Sequence, residues 1–406
     1  MDYHRCAMSS EILFDPFLPG FKADPFPHYH RLREADPVHQ SPLGFWVLTR
    51  YEDCVAVLRD QRFGRAGFEG FLESIYGSVP AQERLPRSML FQDPPDHTRL
   101  RALVSRAFTP RVIEGLRPRI QQVVDEIIDR ALDARSMEVI GDLAYPLPVT
   151  VISEMLGVPA GDQGLIKGWS ADIARSLDAI GLQVDPDIVD RGRVARRAIG
   201  EYFRQLLPER RRHPRNDLLS LLIAAEEQGD KLSEGELLST CILLYIAGHE
   251  TTVNLIGNGL LALLRHGDQL RRLREEPALA ASAVEELLRY DGPVQRTARF
   301  ATVDVEIGGR AIDKGAMVVT VIGAANRDPA QFPEPDRLDL GRVDNRHIAF
   351  GFGIHFCLGA PLARLEGQVA LGTLARRLPA LALAADTVEW RESQVLRGLK
   401  ALPVTC

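Results

Sequence analysis

Cysteine is scarce in this 406-residue chain. The five that occur, Cys6, Cys54, Cys241, Cys357 and Cys406, are an odd number with no Cys-x-x-Cys pair among them. That spacing excludes a disulfide framework and a cysteine-rich zinc module, and a reducing compartment fits best. An excess of positive charge is absent too: 49 basic against 55 acidic residues leave −6, with an isoelectric point near 6.0. This balance gives no support for a nucleic-acid partner, whose phosphates favour a basic surface. Long apolar runs are missing. The most apolar stretch, Leu237 to Gly248, contains Ser239 and Thr240 and ends at His249-Glu250. A bilayer needs roughly 18 apolar residues in a row, so no membrane anchor is expected. Met1 to Cys6 lack the apolar segment of a secretory signal. There is no internal repeat and no low-complexity tract. The expectation is a soluble, cytoplasmic protein.

What is present is an ordinary globular composition, 45% hydrophobic and 26% charged, sufficient to bury a large core. No composition shift marks a linker. Residues 1–406 therefore read as a single domain, mainly α, with a minor β portion from the first ~60 residues, 300–325 and 385–406. Proline-rich turns (Phe14 to Pro27) precede a helix at His28 to Glu34 and a strand at Phe45 to Thr49. Residues Gly64 to Arg87 show no clear period and read as a long irregular segment of the kind that is often functional. Val112, Ile113, Leu116, Ile120, Val123, Val124, Ile127 and Ile128 repeat at helical spacing. The basic run Arg210 to His213, before Pro214, reads as a solvated loop. Ser233 and Glu236 form a capping box that opens a long central helix ending near Arg265. Val303, Val305 and Ile307 alternate before Gly308-Gly309, which predicts a hairpin. A strand near Met317 to Ile322 follows, and helix returns after Pro361.

The most informative segment is Phe350-Gly351-Phe352-Gly353-Ile354-His355-Phe356-Cys357-Leu358-Gly359-Ala360-Pro361. Its glycines permit a tight turn. Cys357 then stands just before a helix with proline in its first turn. Unpaired backbone N–H groups and the helix dipole there stabilise sulfur as an anion. A second cluster is Ala247-Gly248-His249-Glu250-Thr251-Thr252 in the central helix. Gly248 lets a ligand approach the backbone, Thr251 can bond back to a carbonyl, and Glu250 supplies an ionisable group. These residues read equally as a proton relay or as a helix kink with a paired carboxylate. A zinc-peptidase site is ruled out, because the second histidine that motif needs is Val253 here. Glu286 and Arg289, three apart, share one helix face.

Taken in order, these segments resemble the haem-binding loop, the oxygen-binding groove and the Glu-x-x-Arg motif of the cytochrome P-450 superfamily, soluble bacterial class. Asn326 to Pro329, Phe332 to Arg337, and Asp96 to Arg101 resemble further segments of that superfamily, and the likeness runs on to Leu399. The resemblance implies a triangular, helix-rich domain with haem between the central helix and the cysteine-loop helix. It implies haem b as cofactor, with the Cys357 thiolate as axial ligand to the iron, a ligand type that favours O–O cleavage. Glu250 and Thr251 would be the catalytic pair. Cofactor contacts would come from His97, Arg101, Ala247, Gly248, Arg299, Phe350, His355 and Gly359. Of these, His97, Arg101, Arg299 and His355 would hold the propionates. Glu286, Arg289 and Arg337 would form a buried structural ion-pair network.

By the same resemblance, substrate contacts fall to Met89 and Leu90 in the Gly64–Gln92 segment, Tyr245 and Ile246 on the central helix, Val294 to Thr297, and Val395. Arg296 reads as a structural salt bridge or, less simply, a carboxylate binder. The implied activity is monooxygenation, either hydroxylation or epoxidation, of an apolar small molecule by dioxygen in a monomer. Electrons would come from a separate ferredoxin or flavodoxin, since no reductase is fused. Arg99, Arg106 and Arg364 would form its docking face. The alternatives are a peroxide-driven peroxygenase, disfavoured by the acid–threonine pair, and a non-catalytic haem sensor or carrier.

Overall fold

The computed structural model describes residues 14–78, 86–179, 184–215, 217–227 and 232–406. Cys6, the opening residues and 79–85 of the Gly64–Arg87 segment lie outside the described residues. Helices dominate. The longest spans Glu234–Arg265, about 48 Å at 1.5 Å per residue. Its start is set by the capping box: the Ser233 hydroxyl accepts the Glu236 N–H (3.3 Å), and the Glu236 carboxylate accepts the Ser233 N–H (2.8 Å). Nearly all of its side chains from Leu237 to Leu263 are buried, as expected of a helix that is apolar all round and enclosed by others. Those neighbours include Pro146–Leu156, Ala280–Asp291 and Ala360–Arg377. Two glycines let helices approach closely. A Cβ at Gly367 would lie 3.3 Å from Leu255, and one at Gly259 would lie 3.2 Å from Leu287.

The β portion joins distant parts of the chain. A five-stranded sheet runs in the order Val38–Gln40, Trp46–Leu48, Met317–Thr320, Thr297–Ala301, Phe63–Gly64. Trp46–Leu48 pairs in parallel with Met317–Thr320, while the other neighbours are antiparallel. A second sheet pairs Pro403–Thr405 with Ser136–Glu138 and with Ala382–Leu383. The predicted hairpin forms between Val305–Ile307 and Arg310–Ile312, and Gly308 (φ 55°) and Gly309 (φ 78°) supply the left-handed turn. No helix among the described residues is long and apolar enough to cross a membrane.

Four local expectations need correction or refinement. The segment read as irregular contains a helix, Gly67–Tyr76, after the short strand Phe63–Gly64. The residues from Val112 to Ile128 that repeat at helical spacing fall on two helices, Pro110–Glu114 and Arg117–Ala134, with Val112 itself exposed. Gly115 and Pro118 place the break. The basic run belongs to the last turn of Pro186–Arg212. There Arg210 is buried and pairs with Asp217 at 2.9 Å, because cations suit a helix C-terminus. The strand after the hairpin ends at Thr320, and Ile322–Ala325 is a helical turn.

A buried ion-pair node ties the helix Ala280–Asp291 to the chain that leads into the cysteine loop. Glu286 and Arg289 bond bidentately at 2.8 Å, with both side chains fully buried. Arg289 also donates to the carbonyls of Asn326, Pro335 and Arg337. The Asn326 side chain in turn accepts the Ile348 N–H at 2.8 Å. Here the expected membership is wrong in one residue. The Arg337 side chain is exposed and pairs with Glu334, so only its carbonyl serves the node. The second guanidinium on Glu286 is that of Arg342, at 3.1 Å, joined by Asn345 and the Asp339 N–H. Glu286→Ala should therefore destabilise the fold by about 3–5 kcal/mol, since it strands buried guanidiniums. Arg342→Ala should be clearly destabilising and Arg337→Ala nearly neutral, as read by denaturant unfolding of the three variants. Equal losses for the two arginine variants would contradict this assignment.

Candidate active site

The cysteine loop is shaped by its backbone. Gly351 and Gly353 have φ of 72° and 71°, and a Cβ at Gly353 would lie 2.5 Å from the Leu58 carbonyl oxygen. Only glycine fits there. The Cys357 N–H donates to the Phe350 carbonyl at 2.9 Å, which closes the turn. The helix Ala360–Arg377 begins three residues later with Pro361 in its first turn. Cys357 is exposed among the described residues, but desolvation of its sulfur still pushes the thiol up. This is opposed by the nearby N–H groups of Gly359 and Ala360 and by the charges of Arg101 and Arg364. Arg364 also bonds Glu285 bidentately (2.6 and 2.8 Å) and lies over the Phe350 ring at 4.6 Å. Glu285 holds His347 as well, and those two partners outweigh burial and bring its carboxyl down to about 2.

On the central helix the surface opens at one place. Ala247 is exposed and Gly248 and Thr251 are half-buried, within an otherwise buried stretch. The Thr251 hydroxyl donates to the Ala247 carbonyl at 3.0 Å. Gly248 serves packing: a Cβ there would meet Ile152 at 3.0 Å, so the open side belongs to Ala247, not to Gly248. The Glu250 carboxylate faces a different set of groups. It accepts from Arg391 at 3.0 Å and lies 3.4 Å from His249 Nε2. Burial alone would raise its carboxyl, but His249 and Arg391 outweigh that and hold it below the usual range. Arg391 was not foreseen. It lies outside every motif and reaches Glu250 only because its backbone N–H and side chain bond to the carbonyls of Gly398 and Leu399.

The cationic residues expected at the propionates do converge. The rings of His97 and His355 lie 4.2 Å apart, and Arg101 donates to the Phe356 carbonyl at 2.6 Å. Arg299 is buried and donates to the Ala298 carbonyl at 2.8 Å. Burial lowers all four, and the neighbouring guanidiniums drive the two histidines down further, His355 to about 2. His355 Nε2 is buried without a hydrogen-bond partner. A fifth member, Arg65, joins them from the segment read as irregular.

The apolar candidates fall on three separate elements. Met89 and Leu90 lie on a single helical turn, Met89–Phe91. Val294 pairs through a β-bridge with Leu396, next to Val395. Ile246 is buried on the central helix. Tyr245 is fully buried against Ser153 and His249, so it belongs to the core. Thr297 is not free for substrate either, because its hydroxyl accepts from Arg65. Arg296 is buried and lies over the Phe14 ring at 5.9 Å, and Nε and Nη2 have no partner. The salt bridge expected for it is absent among the described residues. Of the supposed docking arginines, Arg99 pairs with Asp96 and Glu236, and Arg364 pairs with Glu285. Arg106 is exposed.

The comparisons agree with this geometry. The Cytochrome P450 family model matches residues 191–388. The chain is 46% identical over 374 residues to cytochrome P450 CYP107DY1 of Priestia megaterium, covering 88% of this chain and 89% of that protein. It is 44% identical over 395 residues to cytochrome P450 monooxygenase PikC of Streptomyces venezuelae, covering 95% of this chain and 91% of that protein. Among solved structures it superposes on P450BioI, in complex with hexadec-9Z-enoic acid ligated acyl carrier protein, with a TM-score of 0.86 and 42% identity. That match covers 95% of this chain and 99% of the other. The chain belongs to the cytochrome P450 family, the haem-thiolate monooxygenases.

Proposed function

We propose that this protein inserts one atom of dioxygen into an apolar small molecule, with Cys357 as the haem ligand and electrons from a separate ferredoxin or flavodoxin. The observation that carries this reading is the cysteine loop, turned at Gly351 and Gly353 and closed by the Cys357 N–H on the Phe350 carbonyl, which sets the sulfur at the start of a helix. The donor set suits haem b. Nearby backbone N–H groups and the charges of Arg101 and Arg364 favour the sulfur's charged form against desolvation, and an edge of His97, Arg101, Arg299 and His355, with His355 Nε2 unpartnered, offers donors to two carboxylates. Gly359 lies beside the sulfur and the Phe350 carbonyl holds the Cys357 N–H, while Ala247 marks the open face of the central helix. When bound, the haem iron supplies the activation of dioxygen, by which one oxygen atom enters the substrate and the other leaves as water.

The protein's own part is positioning and proton supply. Met89, Leu90, Ile246, Val294 and Val395 offer an apolar surface, which supports an apolar substrate and exclusion of water. The Thr251 hydroxyl carries a proton that now rests on the Ala247 carbonyl. Rotation about χ1 turns that proton toward the open face. Glu250 lies next in sequence, and its carboxylate is held ionised by Arg391, whose side chain is about one-third exposed. A proton from solvent reaches Glu250 when Arg391 lets go, and from there it can replenish the Thr251 hydroxyl. This adjacent acid and hydroxyl favour oxygen chemistry over a haem carrier. Arg106, with the partly engaged Arg99 and Arg364, remains our assignment for the face that meets the electron donor.

Oxygen uptake driven by a ferredoxin or flavodoxin system should rise when an apolar substrate is added and should yield an oxygenated product. Uptake that ignores substrate would contradict the proposal. Glu250→Gln should slow turnover by about 10²-fold or more, the usual scale for a lost acid–base group. Thr251→Ala should keep oxygen uptake but divert most of it to hydrogen peroxide, so product per oxygen falls. Unchanged product yield in both variants would remove these residues from the relay.

A further inference from the structure

Arg65 has no place in any motif and no surface role. Its side chain is 8% exposed. Nη2 donates to the Thr297 hydroxyl and Nη1 to the Leu90 carbonyl, each at 3.0 Å, and Nε is buried without a partner. Arg299 reaches the same Thr297 hydroxyl at 3.5 Å. Two buried guanidiniums thus share one neutral acceptor. The carboxylate that acts on both is Asp93, but it bonds the backbone N–H groups of Arg65 (2.8 Å) and Ala66 (2.9 Å). Together with Arg101, three guanidiniums stand around this edge beside that one carboxylate. With the Cys357 thiolate that faces Arg101 counted as well as Asp93, one positive charge is in excess, 3 − 2 = 1. Buried like charges are costly unless an anion joins them, and a guanidinium offers five donors, of which Arg65 spends two within the described residues.

The position is built, not incidental. A Cβ at Gly64 would lie 2.6 Å from the Asp93 carboxylate, and one at Gly67 would lie 2.8 Å from the Phe300 ring. Both neighbours therefore fix the backbone on either side of Arg65.

We propose that Arg65 is a further anchor of the cofactor, sharing a haem carboxylate with Arg299, and that through the Leu90 carbonyl it couples this anchor to the substrate-facing turn Met89–Phe91. The proposal rests on the haem reading above and adds a residue and a linkage to it. A haem carboxylate would take up the guanidinium donors that Arg65 and Arg299 leave unsatisfied and offset the excess charge. The same guanidinium then holds the turn in place, so cofactor uptake and the order of the substrate wall depend on each other.

The test uses the haem-loaded protein and Arg65→Gln and Arg65→Lys variants. Three quantities are read: the rate of haem loss to an excess of a haem-scavenging apoprotein, the midpoint potential, and the spin-state response to an apolar ligand. Arg65→Gln should lose haem about ten- to a hundredfold faster, the scale of a lost charge-assisted bond. Its potential should move to more negative values, because a positive charge beside the iron favours the reduced form. Arg65→Lys keeps the charge but not the fork. It should restore the potential while still losing haem faster and responding more weakly to the ligand. If Arg65→Gln does not fold, the lysine variant still decides, since haem loss and ligand response at wild-type levels would overturn the proposal. A folded Arg65→Gln with unchanged haem loss and potential would also overturn it and leave Arg65 a packing residue. A wild-type chain that takes up no haem would overturn the haem reading, and this proposal with it.

Discussion

A cysteine sulfur that is to bind haem iron needs a loop that cannot move away from it, and much of this structure holds the Cys357 loop in place. The Cys357 sulfur stands at the start of the helix Ala360–Arg377 because the loop turns at Gly351 and Gly353 and closes on the Phe350 carbonyl. The turn at Gly353 passes so close to Leu58 that a larger residue would displace the helix Tyr51–Arg59 or the loop itself. Phe350 is in turn covered by Arg364, which Glu285 holds. The electrostatic character of one sulfur atom thus depends on contacts from several distant segments of the chain.

The Glu286 node has its effect through the same loop. Arg289 fixes the Asn326 carbonyl, the Asn326 amide fixes Ile348, and Gly351 bonds back to Ile348. A break at Glu286 would therefore release the loop's approach before it touched the cysteine. The opposite wall is secured separately. The central helix is enclosed on nearly all sides and opens only near Ala247 and Thr251. Glu250, close by in sequence, is buried and faces Arg391 and His249 instead.

Motifs were legible in the sequence where contiguous residues carry the chemistry. The capping box, the Gly308-Gly309 turn, the cysteine loop and the Glu286–Arg289 pair are of that kind, since each is set by local backbone geometry. What escaped notice depends on contacts between distant segments. Arg65 meets Arg299 through the pairing of Phe63–Gly64 with Thr297–Ala301, a register that no local pattern encodes. Arg391 reaches Glu250 from 141 residues away. Arg342 replaced Arg337 because the chain turns after Arg337 and sends that side chain outward; both are arginines in one short stretch, and spacing alone cannot choose between them. The helix Gly67–Tyr76 was hidden because its glycines and aromatics break the apolar period, although Phe68 packs edge-on against Phe91 and Phe300.

The central claim is that Cys357 is held as a thiolate on haem iron. The absorption spectrum of the reduced protein with carbon monoxide tests it most directly. The account predicts the strongly red-shifted Soret band of thiolate ligation, lost in Cys357→Ala. An unshifted, histidine-like band in the wild-type protein would contradict it.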